Sequence, residues 1–140
     1  MSKLDIVQRQ YTNVTILDLS GKVLIGETSA KFRSILGQLI YKGEKNILLN
    51  LAGISQVDSC GLGELVAGFV SVEKNGGEMK LLHLTNRVNE LMMITKLVTV
   101  FEVYENEEMA VNSFQNDPEK AELNQSPYVT GKLDRAVLNQ

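Results

Sequence analysis

The sequence predicts a single α/β domain with about four helices, built on a mixed, mostly parallel β-sheet that an antiparallel hairpin opens. Strand-like and helix-like patterns alternate along the chain, and two strand-like runs joined by a short turn begin it. A length of 140 residues allows one domain with a hydrophobic core but not two. We therefore expect residues 1–116 to form the domain and residues 117–140 to form a flexible C-terminal tail.

The opening hairpin is predicted by strand-like runs at residues 4–10 and 14–19, on either side of a turn at residues 11–13. Beyond it, apolar side chains recur at steps of three and four, which is the spacing of one helix face. These side chains belong to Phe32, Ile35, Leu36, Leu39 and Ile40. Gly43 can end this first helix, because glycine adopts the left-handed conformation at little cost.

The middle of the chain predicts a buried strand followed by a second helix. Residues 45–51 have an unbroken apolar centre, which is typical of a strand buried on both faces. Residues 60–74 return to helical spacing, and the Asn-Gly-Gly sequence at 75–77 can stop that helix. The apolar positions of the second helix are Leu62, Leu65, Val66, Phe69 and Val72.

The remaining pattern predicts two more strands and two more helices. Residues 79–84 and 98–103 are strand-like, and a short helix between them is opened by Thr85 or Asn86. Residues 107–115 predict a last amphipathic helix, which Asp117-Pro118 breaks. The inward side chains of that helix are Ala110, Val111 and Phe114.

Composition and charge narrow the classes of function. The chain is 44% hydrophobic and 22% charged with a net charge of -3, so no basic footprint for nucleic acid or an anionic membrane is expected. Residues 1–5 lack the apolar region of a signal peptide, which predicts a cytoplasmic location. With Cys60 as the single cysteine and His83 as the single histidine, no structural zinc set can be assembled, and no cofactor is expected.

The segment between the central strand and the second helix carries the chemistry. Asp58, Ser59 and Cys60 stand where the helix begins, and Gly61 and Leu62 follow. Aspartate and serine are preferred helix-capping residues, so a purely structural role is one interpretation. The alternative is a functional loop, because open α/β sheets place their sites at the carboxyl ends of parallel strands. Asp58 can cap the helix, help to position the Ser59 hydroxyl, or do both.

Residues 57–62, Val-Asp-Ser-Cys-Gly-Leu, resemble the signature loop of STAS domains of the anti-sigma factor antagonist kind. The resemblance extends over residues 4–115 and includes Leu-Ser-Gly at 19–21 and Gly-Gly-Glu-Met at 76–79. Two positions depart from the family pattern. Leu24 replaces an acidic residue, so a polar role there is not supported, and Cys60 replaces the second hydroxyl of the loop.

The resemblance implies a phosphorylation switch that works through another protein. By position, Ser59 is the phosphoacceptor, and the expected partner surface comprises Asp58, Ser59, Cys60, Gly61 and Leu62. The expected partners are an anti-sigma factor that is also a serine kinase, which releases its sigma factor on binding, and a serine phosphatase of the PP2C type. STAS domains also serve as scaffolds of stress-sensing assemblies and as subunits of lipid-transport complexes without such a switch, which is the alternative function. The oligomeric state stays open.

A catalytic role for Ser59 or Cys60 is not expected. A nucleophile elbow requires glycine two residues before the serine, and Val57 occupies that position. His83, the single candidate base of the histidine type, belongs to a different predicted strand. We therefore expect a regulatory protein and no enzyme.

Overall fold

A computed structural model describes residues 3–114 of the chain. Its elements are β1 (Leu4–Tyr11), β2 (Val14–Val23), α1 (Glu27–Tyr41), β3 (Asn46–Val57), α2 (Ser59–Lys74), β4 (Glu78–Leu82), α3 (Asn86–Ile94), a 3₁₀ turn (Leu97–Thr99), β5 (Val103–Tyr104) and α4 (Glu107–Asn112). The strands form one sheet in the order β1-β2-β3-β4-β5; β1 runs antiparallel to β2, and all other neighbours are parallel. The predicted fold class is confirmed. The predicted tail, residues 117–140, lies outside the described residues.

The sheet separates two hydrophobic cores, one on each face. Helices α1, α2 and α3 close the larger core, to which Leu49 and Leu81 contribute from the strands. Helix α4 closes the smaller core over Leu48 and Leu82. Neighbouring side chains of a strand point to opposite faces, and both Leu48 and Leu49 are fully buried. The prediction of a central strand buried on both faces is therefore confirmed.

The helix boundaries follow from local side-chain and backbone chemistry. The Thr85 hydroxyl accepts a hydrogen bond from the Val88 N–H at 3.3 Å, so Thr85 is the residue that caps α3. The Asn106 side chain caps α4 in the same way by accepting from the Met109 N–H at 2.9 Å. Gly43, with φ of 87°, follows the end of α1 as the sequence predicts.

Strand β3 is longer than the sequence predicts, because it continues through residues 52–57. In the sequence this stretch lacks the apolar run of a buried strand and contains Gly53. In the structure most of its side chains are exposed. Its backbone nevertheless pairs in parallel with the end of β2, as far as Val57 opposite Val23. Strand β4 already ends at Leu82, so β2 and β3 extend beyond it. Helix α2 therefore begins at the far carboxyl end of these two strands.

The predicted strand at residues 98–103 is wrong for most of its length. The chain leaves α3 through Lys96, whose φ is 65°, and forms a 3₁₀ turn before the two residues of β5. Leu97 is half-buried and Phe101, four residues later, is buried. The Phe101 ring packs edge-on against Phe69 of α2, with their centroids 5.2 Å apart. Packing on α2 therefore outweighs the β-propensity of Val98 and Val100.

Arg9 of β1 links the sheet to α4 through two carboxylates. Its guanidinium donates to Asp18 at 2.6 Å and to Glu107 at 2.6 Å. Hydrogen bonding from Arg9 is the main reason that the pKa values of both carboxyls lie below their usual range. A carboxyl whose pKa is lower in the folded chain than in the unfolded chain contributes to stability. This contribution is complete at pH values well above about 4, where the unfolded chain titrates, and it disappears as the pH falls through the lowered values.

We expect Arg9→Gln to lower the free energy of unfolding at pH 7 by about 1 kcal/mol, because partly exposed ion pairs contribute little. The difference between variant and parent should shrink as the pH falls from 7 to 3, because the carboxyls of the unfolded chain become protonated near about pH 4 while those of the folded chain titrate lower. Urea unfolding at both pH values measures this. A difference that is equally large at pH 3 would show that Arg9 acts through packing instead.

Candidate functional site

The side chain of Asp58 joins the starts of two helices. Its Oδ1 accepts from the Gly61 N–H at 2.8 Å, which caps α2 as the sequence predicts. Its Oδ2 accepts from the Ile25 N–H at 2.9 Å, and Ile25 lies in the loop between β2 and α1. The Asp58 N–H in turn donates to the Val23 carbonyl at 3.3 Å. The loop before α1 and the first turn of α2 are thus held together by one residue.

These backbone hydrogen bonds hold the pKa of the Asp58 carboxyl below its ordinary value. The bond from the Gly61 N–H contributes most, and the bond from the Ile25 N–H comes next. The carboxylate therefore remains ionised at neutral pH and keeps both acceptor oxygens available. Within residues 3–114 it makes no hydrogen bond to the Ser59 hydroxyl, so the geometry supports the capping role of Asp58 and adds a role in holding the loop.

Ser59 is the first residue of α2 and is exposed. Its hydroxyl has no hydrogen-bond partner in the described part of the chain, so no protein contact would have to break before the oxygen could react. The neighbouring hydroxyls differ. Ser55 donates to the Gly21 carbonyl at 3.1 Å, and Thr85 is used as the cap of α3.

Gly61 and Leu62 face the protein interior, which corrects the expectation that they offer contact surface. A Cβ at Gly61 would collide with the carbonyl oxygen of Val23, so glycine is needed here to let α2 approach the end of β2. Leu62 is 5% exposed and belongs to the larger core. Gly63 is the glycine of this segment that is exposed, with open space where a Cβ would be.

Cys60 lies between the exposed and the buried part of this turn. Its Sγ is half-buried and 3.9 Å from the Ser29 hydroxyl of α1. One turn further along α2, Glu64 forms an ion pair of 2.5 Å with Arg33 of α1. Contacts from α1 therefore fix the first two turns of α2 on one side and leave Ser59 open on the other.

Sequence reasoning missed Ile25, which is 76% exposed although it is a large aliphatic residue. It directly follows Leu24, the position at which the acidic residue of the family pattern is replaced. No periodic pattern marks it in the sequence, because the apolar run that ends at Ile25 is too short to show helical or strand spacing. Its place at the site follows from the hydrogen bond to Asp58, which joins residues 33 positions apart.

The other residues considered in the sequence lie away from this chemistry. His83 follows β4 with φ of 58°, and its N–H donates to the Tyr104 carbonyl at 2.9 Å, so it has a structural role there. Met92 is fully buried, as the core interpretation predicts, whereas Met93 is 60% exposed. Residues 3–114 contain no cluster of three or more His, Cys, Asp or Glu side chains that could hold a metal ion. Over the same range, no helix has the length and apolar character needed to cross a bilayer.

The chain is similar to known proteins over most of its length. The STAS domain model matches residues 5–110. The chain is 27% identical to the anti-sigma F factor antagonist of Paenibacillus polymyxa over 113 residues, which cover 80% of this chain and 96% of that protein. Its fold is similar to that of an anti-sigma factor antagonist from Mycobacterium paratuberculosis, with a TM-score of 0.70, 16% identity, and coverage of 81% of this chain and 96% of that chain. It is also similar to the Bacillus cell fate determinant SpoIIAA in its phosphorylated form, with a TM-score of 0.62, 18% identity, and coverage of 77% and 97%.

Proposed function

The chain belongs to the STAS domain family, and we propose that within this family it is an anti-sigma factor antagonist that phosphorylation of Ser59 switches off. The observation that carries the proposal is the exposed Ser59 hydroxyl, without a partner in residues 3–114, at the start of α2. The similarity to the Paenibacillus antagonist supports the general function. The existence of a solved phosphorylated form of SpoIIAA supports a covalent switch on this fold.

In the unphosphorylated state, the chain binds an anti-sigma factor that is also a serine kinase, and the sigma factor is released. The contact surface is centred on Ser59, with Asp58 and Cys60 beside it. The buried residues Gly61 and Leu62 support this surface from the protein interior. A serine phosphatase of the PP2C type restores the binding state. The protein acts in the cytoplasm without a cofactor and without contact to nucleic acid.

Phosphate on Ser59 releases the partner through its charge. It adds a charge of about -1.5 to -2 and three acceptor oxygens to a hydroxyl that the partner covers. Removing such a group from water without a matching cation costs several kcal/mol, and every 1.4 kcal/mol reduces affinity tenfold. The start of a helix tolerates an anion, so the domain itself remains folded.

We expect a serine kinase of the anti-sigma type from the source organism to place one phosphate per chain, on Ser59. Incubation with ATP and peptide mapping by mass spectrometry measure this. Ser59→Ala should remain unmodified, bind the kinase with the affinity of the parent, and stay bound when ATP is added. Ser55→Ala and Thr85→Ala are matched controls that should be phosphorylated like the parent.

Phosphate on Ser55 or Thr85, or ATP-driven release of Ser59→Ala, would contradict the proposed acceptor. If no such kinase modifies or binds the chain, the switch itself is wrong. The domain would then fit the alternative of a STAS scaffold or transport subunit.

A further inference from the structure

The loop between β2 and α1 has a hydrogen-bonded backbone and presents an exposed aliphatic side chain. Leu24 and Thr28 are joined by two hydrogen bonds. The Leu24 N–H donates to the Thr28 Oγ1 at 2.8 Å, and the Leu24 carbonyl accepts from the Thr28 hydroxyl at 3.0 Å. The carbonyl of Gly26 accepts from the Ala30 N–H at 3.0 Å. Ile25, between these two residues, is tied to Asp58 and is 76% exposed. The backbone of the loop is therefore hydrogen-bonded at each of these three residues, and the side chain it presents to solvent is a large aliphatic one.

The same carboxylate ties this side chain to the phosphorylation site. Asp58 immediately precedes Ser59, and its two oxygens are divided between the Ile25 N–H and the Gly61 N–H. Ile25 and Ser59 are therefore neighbours at the same end of the sheet, and a single partner surface can cover both. Because hydrogen bonds already hold the backbone of this loop, the loop loses little conformational freedom when a partner covers it.

We propose that Ile25 is the apolar anchor by which this chain docks into a hydrophobic pocket of its anti-sigma factor, and that Asp58 is the positioning residue that holds the anchor beside Ser59. This inference rests on the proposed function and deepens it. The partner has two matching features: a pocket lined by apolar side chains for Ile25, and an adjacent surface that closes over the Ser59 hydroxyl. Once Ile25 is seated, a phosphate on Ser59 falls inside the contact area.

Truncation of the anchor tests the first half of the proposal. We expect Ile25→Ala to weaken binding to the kinase identified in the phosphorylation assay by at least tenfold in calorimetry, while the thermal midpoint stays within a few degrees. Met109→Ala is the matched control, because Met109 is 64% exposed on α4, across the sheet from the site. This control should bind like the parent.

The second half concerns Asp58 and is tested by Asp58→Asn. The amide oxygen of asparagine can still accept from one N–H, but its nitrogen cannot accept from the other. Because the cap and the loop tie compete for that oxygen, we expect faster hydrogen exchange at the Ile25 N–H and weaker binding. Adding Ile25→Ala to Asp58→Asn should then reduce affinity by less than Ile25→Ala does alone, since both changes remove the same anchor.

Ser59→Asp, measured alongside, separates this inference from the proposed function. If Ile25→Ala binds like the parent while Ser59→Asp does not, the anchor is refuted and the switch stands. Full additivity of Asp58→Asn and Ile25→Ala would refute the positioning role of Asp58. If the parent chain binds no anti-sigma factor, both proposals fail.

Discussion

Replacing Ser59 by aspartate is expected to weaken binding of the anti-sigma factor by at least tenfold and to leave the thermal midpoint nearly unchanged. The charge enters at the first residue of α2, where the free N–H groups and the helix dipole favour an anion by about 0.3–1 kcal/mol. In the proposed complex, the same charge would lie under the partner and would have to lose its water. The fold therefore gains slightly while the interface loses, and the two effects can be measured separately by calorimetry and thermal unfolding.

Ser71→Asp is the control for this variant. Ser71 is also exposed on α2, but it lies 12 residues further along, which is roughly 18 Å of helix. The same added charge there should leave the affinity within twofold of the parent. If both aspartate variants lost affinity equally, net charge would explain the result, and Ser59 would not be the centre of the interface.

Replacing Gly61 by alanine is expected to destabilise the fold strongly. A Cβ at this position would overlap the Val23 carbonyl oxygen, which belongs to the backbone and cannot rotate away. Forcing α2 away from β2 should lower the free energy of unfolding by about 2–3 kcal/mol, as for other overpacked sites. For a domain of this size, that loss lowers the thermal midpoint by roughly 10 °C.

Gly63→Ala is an internal comparison within the same helix turn. A Cβ at Gly63 meets no atom within 4 Å, so the substitution should stabilise α2 by up to about 1 kcal/mol through helix propensity. Denaturant unfolding of the two variants should therefore give changes of opposite sign. Equal changes in both would mean that the close approach of Gly61 to Val23 does not constrain the fold.

Periodicity predicted the elements whose side chains are buried in the two cores. The helix at Phe32 and Leu36 and the doubly buried strand at Leu48 and Leu49 are both present, because burial and spacing agree there. The end of β3 was missed, since the exposed residues around Gly53 are held in the strand by backbone pairing with β2. Backbone pairing of this kind cannot be predicted from the pattern of side chains.

The candidate site was predicted as far as local chemistry reaches. Aspartate and serine at the start of a helix indicate a cap and an exposed hydroxyl, and both are found at Asp58 and Ser59. The inward position of Gly61 and the exposure of Ile25 depend on how β2 and α2 meet in space. Contacts between distant segments decide both, so the sequence around each residue could not indicate them.

The two ends of the described chain lie at different distances from the end of the sheet that carries Ser59. Leu4 pairs with Gly21, and the carbonyl of Lys3 accepts from the Lys22 N–H at 2.8 Å. The start of β1 therefore lies beside the carboxyl end of β2, the end at which the candidate site is found. Phe114 is buried under α4 on the opposite face. A fluorescent reporter or a surface tether attached at Lys3 would therefore crowd the proposed partner, whereas one attached at the exposed Met109 of α4 lies on the far face of the sheet and leaves Ser59 open to solution.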